Sequence, residues 1–216
     1  GVFTVVKITV YIFGLDVLTE TGASDPIAYI AGGTVVLASV IALGQDNLKR
    51  RLAYSTISQL SYVVMAAAIA TPLAIIGAAM HILAHAVSKI TLFFAAGSIY
   101  TAHHLTEVSQ LDGLGRRMLW TFGAFLVGAI SIIGLPPLIG VWSKWWIGIG
   151  VAESGNYWAI AVLMISSLLN VAYLLPIISR GFFLPLPGQP ADASVTRAEA
   201  PLPILIAMAI TSALAL

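Results

Sequence analysis

The chain has 216 residues, 59% of them hydrophobic and only 9% charged, with a mean hydropathy of +0.99. That is too apolar for a water-soluble domain of ordinary make-up and predicts an all-α, polytopic membrane protein. The net charge of +1 lacks the clustered basic excess of a nucleic-acid surface, and the absence of cysteine excludes disulfides, thiolate zinc sites and thiolate-held iron–sulfur clusters within the chain.

A membrane span needs about 20 apolar residues at about 1.5 Å each. Residues 1–15 read as a partial or short transmembrane helix carrying Lys7, followed by helices at 27–45, 52–70, 73–102, 119–150 and 157–180. Gly77 and Gly97 are candidates to soften the long 73–102 helix. In 119–150 the run GLPPLIG interrupts the helix, because Pro136 and Pro137 lack amide donors and the flanking Gly134 and Gly140 loosen the backbone. Residues 184–200 form a polar, proline-rich linker, and 201–216 begin a further transmembrane helix. The chain enters an apolar run without a Met or a basic leader and stops within another, so it reads as an internal portion of a longer protein or one piece of a split subunit.

With alternating spans, the connections at 46–51, 103–118 and 181–200, together with Arg180, carry every Lys and Arg outside the apolar segments. The connections at 16–26, 71–72 and 151–156 carry none, which places the basic side in the cytoplasm. Asp16, Glu20, Asp25 and Glu153 then face outward, and Trp142, Trp145, Trp146, Tyr157 and Trp158 supply candidate interfacial anchors. Lys49, Arg50 and Arg51 hold the cytoplasmic surface, Ser55, Ser58 and Gln59 bond between helices, and His103 and His104 end their span in water. Gly32 and Gly33 permit close helix packing.

Three cations remain inside apolar segments: Lys7, Lys89 and Lys144. Each costs about 3 kcal/mol or more at membrane depth, so these positions point to function. His81, His85 and Lys89 recur every four residues along one helix face, about 12 Å of axis in all, and could pass protons through short water bridges. A competing reading has the histidines merely bond to carbonyls of neighbouring helices. A His-x-x-x-His metal site would need a further carboxylate or histidine, and no acid lies in a predicted span. Lys144 follows the GLPP break closely enough to exchange a proton with water there; alternatively it snorkels to an interface between tryptophans. No phosphate loop, dinucleotide turn or Ser, His and carboxylate set is present, so no enzyme, metal or cofactor site is expected.

The motifs DNLKRRLAYSTISQLSY, HILAHAVSKITLFFAAGSIY, DGLGRRM, GLPPLIGVWSKWW and SSLLNVAYLLPIISRGFF occur in the order found in the antiporter-like membrane subunits of complex I, membrane-bound hydrogenases and Mrp-type cation/proton antiporters. The chain resembles that superfamily over most of residues 1–183, and its DGLGRRM and GLPPLIGVWSKWW wording is nearest to the D subunit of Mrp antiporters. The resemblance implies two inverted five-helix repeats, each with a broken helix, joined by a central row of lysines and histidines. Residues 27–183 match the second repeat. Lys7 then corresponds to the lysine bridging the half-channels, Lys89 to the central lysine with His81 and His85 as its relay, and Lys144 to the terminal lysine on the broken helix. Ser61 stands where the family commonly has glycine and is expected to tighten a helix contact.

The implied function is proton translocation within a multisubunit antiporter in a prokaryotic inner membrane, with neighbouring membrane subunits and lipid as partners, no nucleic acid, and Na+ or K+ as the exchanged ion. The alternatives are a proton-pumping subunit of a complex I-like NADH:quinone oxidoreductase or hydrogenase, and a scaffold that does not translocate. The first repeat, with its buried acid, is missing from these residues.

Overall fold

A computed structural model describes residues 1–185 and 198–216, so most of the expected linker, Arg197 included, lies outside the described residues. The described chain is helical: α1 (Val2–Lys7) running into a π-helical turn (Ile8–Phe13), α2 (Leu15–Thr21), α3 (Asp25–Leu43), α4 (Leu48–Ile69), α5 (Pro72–His103), α6 (Leu119–Ile133), α7 (Ile139–Glu153), α8 (Tyr157–Phe183) and α9 (Leu202–Leu214), with short 3-10 turns at Val108–Gln110 and Leu114–Arg116. Four of these helices, α3, α4, α5 and α8, are long and apolar enough to cross a membrane. Helices α6 and α7 lie on either side of the expected break. The expected 16–26 connection contains α2.

Local chemistry fixes the ends. Asn47 accepts from the Arg50 amide at 3.1 Å to start α4, and Ala70 at φ 61° turns the chain out of it. Thr71 accepts from the Ala74 amide and Pro72 pre-sets the first turn of α5. At 32 residues α5 is about 48 Å long, more than a hydrocarbon core of about 30 Å, so it must tilt or project beyond it.

Helix α5 is unbroken, so Gly77 and Gly97 do not soften it. Gly77 instead admits α7: a Cβ there would sit 2.5 Å from the Ile147 amide nitrogen. Gly150 of α7 returns the contact, since its Cβ would lie 2.2 Å from the Ala74 nitrogen. The two glycines let the backbones of α5 and α7 touch. Gly97 faces open space, as does Gly33, whereas Gly32 carries the expected close packing, against Trp158. Trp158 also stacks on Tyr29 at 4.6 Å and is no exposed anchor; Trp142, Trp145 and Tyr157 are exposed.

The connections assigned to the basic side meet at one end of the bundle. The Leu48 amide donates to Thr106 O at 2.9 Å, the Val108 amide to Asp46 O at 2.8 Å, and the Gly113 amide to Arg180 O at 3.0 Å. Arg180 pairs with Asp112 at 2.7 Å, and Ser109 donates its hydroxyl to Asp46 at 2.6 Å. That hydroxyl bond, together with the Ser109 amide and the charges of Arg51 and Arg180, holds the Asp46 carboxyl below its ordinary value of 3.8 against the opposing cost of burial. Arg51 is not simply a surface cation. It is 8% exposed and donates to Gln45 O at 2.7 Å and Tyr173 O at 3.1 Å, tying α4 to α8. His103 is also drier than expected, because its Nε2 is shielded and has no partner. Ser61 donates to Ile57 O of its own helix at 2.9 Å, so its hydroxyl tightens no contact between helices.

The apolar core is divided. Near the basic end Leu48, Leu52, Leu92, Ile99, Phe122 and Ile177 form one cluster; towards the other end Val35, Tyr62, Met65, Ala78, Ile147 and Ala159 form a second. Between them every long helix contributes buried polar groups: Ser39 from α3, Ser55, Ser58 and Gln59 from α4, His81, His85 and Lys89 from α5, Ser143 from α7, and Ser166 and Asn170 from α8. Buried polar groups are costly unless paired, so this layer is where the fold holds its chemistry.

Candidate functional site: a polar layer with two inward lysines

On α5 the four-residue spacing places three titratable side chains inward together. His81 is 2% exposed, and His85 and Lys89 are 5% exposed. The imidazole rings of His81 and His85 are 6.1 Å apart, centroid to centroid. Lys89 Nζ donates to Leu52 O at 3.1 Å and to Ser55 Oγ at 2.7 Å, both on α4. Tyr173 of α8 donates to the same Ser55 oxygen at 2.7 Å.

The histidines are not fully satisfied by protein. Ser143 Oγ donates to Gly140 O at 2.9 Å, so its oxygen accepts from His81 Nδ1 at 2.9 Å. That tautomer leaves a lone pair on His81 Nε2, which has no protein partner. His85 Nδ1 also lacks one.

The break on the α6–α7 span has a direct chemical account. In a continuous helix Ile132 O would accept from residue 136 and Ile133 O from residue 137, and both of those residues are prolines without an N–H. Lys144 supplies the missing donors: its Nζ lies 2.8 Å from Ile132 O and 3.0 Å from Ile133 O, with Ser167 Oγ at 3.3 Å. Gly134, at φ 89°, closes α6. Farther along, the Ile139 amide opens α7 by donating to Ala215 O at 3.2 Å. Lys144 therefore turns into the break and does not snorkel outward. Its ammonium lies 5.4 Å from the ring centroid of Tyr62, which in turn lies 5.8 Å from His81. Gly140 departs from its expected role. It lies inside α7, where a Cβ would come within 1.8 Å of Ser131 O, so it permits close packing and does not loosen the chain.

Lys7 stands apart. Val2 and Val6 pack toward the core, while Lys7 is exposed on the surface of the described chain, and no contact among the described residues joins it to Lys89. Among the described residues no carboxylate pairs with Lys89 or Lys144. Ser143, Asn170 and Tyr173 were not singled out individually from the sequence. The available signal was on α8, where Ser166, Asn170 and Tyr173 recur at spacings of four and three along one face of an apolar helix.

Residues 2–170 match the family described as NADH:quinone oxidoreductase/Mrp antiporter, transmembrane. The chain is 35% identical over 198 residues to NADH-quinone oxidoreductase subunit N of Desulforudis audaxviator, covering 88% of this chain and 40% of that protein. It is 30% identical over 212 residues to the Na(+)/H(+) antiporter D subunit of Alkalihalophilus pseudofirmus, covering 98% of this chain and 42% of the relative. The chain thus spans less than half the length of these relatives. Its fold is similar to a chain of the Mrp complex from a Dietzia species, with a TM-score of 0.82 at 20% identity over 92% of this chain and 44% of that one. With the family match covering most of its length, the chain belongs to the NADH:quinone oxidoreductase/Mrp antiporter transmembrane family.

Proposed function

We propose that this chain is the second-repeat portion of a proton-translocating antiporter-like subunit, in which protons exchange along Lys89, His85, His81 and Lys144, and Lys7 connects the row to the other repeat. The observation that carries this reading is a buried lysine, Lys89, and a half-buried one, Lys144, whose hydrogen-bond partners are neutral carbonyls, hydroxyls and an amide, with two imidazoles that each have a nitrogen without a protein partner. The proton affinity of each amine responds to charge on its neighbours. Lys89 and Lys144 can therefore act as alternating stations.

Similarity to a Na(+)/H(+) antiporter D subunit over nearly the whole chain supports a cation/proton antiporter as the parent complex, with Na+ as the exchanged ion. A redox-driven parent is the second reading, favoured by the similarity to a quinone oxidoreductase subunit N. Purification of the intact complex separates the two: iron–sulfur subunits in stoichiometric amount select the redox assembly, and their absence with small membrane subunits present selects the antiporter.

The row itself is tested by Lys89→Ala and Lys144→Ala in the complete complex. Loss of coupled proton transport with assembly retained is the expected result. Undiminished transport in both variants would leave a packing scaffold as the better account.

A further inference from the structure

The two lysines are joined by a hydrogen-bonded connection that avoids the histidines. Of the two ways to orient the buried Asn170 amide, only one gives each atom a complementary neighbour: the oxygen accepts from Lys144 Nζ at 3.2 Å and Gln59 Nε2 at 3.0 Å, and the nitrogen donates to Ser166 O at 3.3 Å and to the Tyr173 hydroxyl. The Tyr173 hydroxyl then donates to Ser55 Oγ at 2.7 Å, and Lys89 Nζ donates to that same oxygen at 2.7 Å. Ser55, Asn170 and Tyr173 are each 0% exposed. From Lys144 to Lys89 the path is an unbroken line of hydrogen bonds through three neutral side chains.

We propose that Ser55, Tyr173 and Asn170 form a dipolar bridge that couples the charge states of Lys89 and Lys144, with Tyr173 as the positioning residue at its centre. The proposal rests on the reading of these lysines as proton stations. An amide does not readily relay a proton, so the bridge carries no net proton and breaks no bond; it transmits polarisation. Lys89 and Tyr173 compete as donors for one serine oxygen. When Lys89 is charged, the Tyr173 bond to Ser55 is weakened. When Lys89 has released its proton, the Ser55 hydroxyl can turn to donate to the free amine and the Tyr173 bond strengthens. The tyrosine oxygen then becomes a better acceptor for the Asn170 amide, whose oxygen in turn becomes a better acceptor for the Lys144 ammonium, because successive hydrogen bonds polarise one another. Neutral Lys89 thus favours charged Lys144. The occupied station alternates, beyond what direct repulsion between the two ammonium groups provides.

The test uses the complete complex in proteoliposomes, with proton movement read by an enclosed pH-sensitive dye across a range of pH, alongside Lys89→Ala and Lys144→Ala. Tyr173→Phe removes only the hydroxyl, and we expect a roughly tenfold lower rate and a displaced pH for half-maximal transport, in the range of effects for coupled buried groups. Ser55→Ala removes the shared acceptor and serves if Tyr173→Phe does not assemble; Ser55→Thr restores the hydroxyl and with it the wild-type profile. A wild-type pH profile in Tyr173→Phe and Ser55→Ala, whatever the rate, while the lysine variants are inactive, overturns the bridge and leaves the row intact. Full activity in the lysine variants overturns both.

Discussion

The ammonium of Lys144 lies 3.0 Å from the carbonyl oxygen of Ile133, the acceptor whose helical donor would have come from position 137. A side chain eleven residues along the chain thus replaces a proline's missing amide. The same cation is the candidate proton station of the proposed row.

Replacing both prolines, Pro136→Ala with Pro137→Ala, returns two amides that compete with Lys144 for Ile132 O and Ile133 O. The break should shorten and the lysine should lose its anchor. We expect assembly to persist and proton transport to fall at least about tenfold, the equivalent of roughly 1.4 kcal/mol, comparable to one hydrogen bond to a charged group. Transport equal to wild type in the reconstituted complex would show that the carbonyl contacts do not tune Lys144.

The α5–α7 contact predicts a sharp contrast between glycines. A Cβ at Gly150 meets the Ala74 nitrogen at 2.2 Å, whereas one at Gly33 meets nothing within 4 Å. Gly150→Ala should cost about 1–3 kcal/mol or more through overpacking against backbone, and Gly33→Ala should be close to neutral. Thermal stability of the detergent-solubilised complex measures both.

Asp46 predicts a pH dependence at the basic end. Its folded pKa lies below the ordinary 3.8, so its contribution is present above the unfolded value and is lost as pH falls through the folded one. At neutral pH the Asp46 bonds to the Ser109 amide and hydroxyl are therefore intact. Asp46→Asn should speed hydrogen exchange at the Ser109 amide at neutral pH, where the wild type is protected, and the two should converge in strong acid. Equal protection of the two proteins at neutral pH would show that the carboxylate does not hold this loop.

The broken helix, the α5 stripe and the basic end were legible in the sequence because each follows from a local property: a proline lacks its donor, a four-residue repeat shares a helix face, and loop charges set sides. The partners were not legible. That Lys89 reaches Leu52 and Ser55, and that Tyr173 meets the same serine, depends on how α4, α5 and α8 cross. The glycines misled for a related reason. Gly77 and Gly140 read as flexible positions along the chain, yet each marks where another backbone comes close. Lys7 entered the row only through the family resemblance; α1 turns Val2 and Val6 inward and leaves that lysine on the surface of the described chain.

The most direct test of proton exchange at the row is Lys144→Arg in the intact complex. Arginine keeps the cation and can still donate to Ile132 O and Ile133 O, but it does not release its proton at physiological pH. The measurement is proton uptake into proteoliposomes, with assembly confirmed in the same preparation. The account predicts an assembled complex with proton transport abolished. Transport at the wild-type rate would contradict it, because a cation that only braces the broken helix can be replaced by one that never deprotonates.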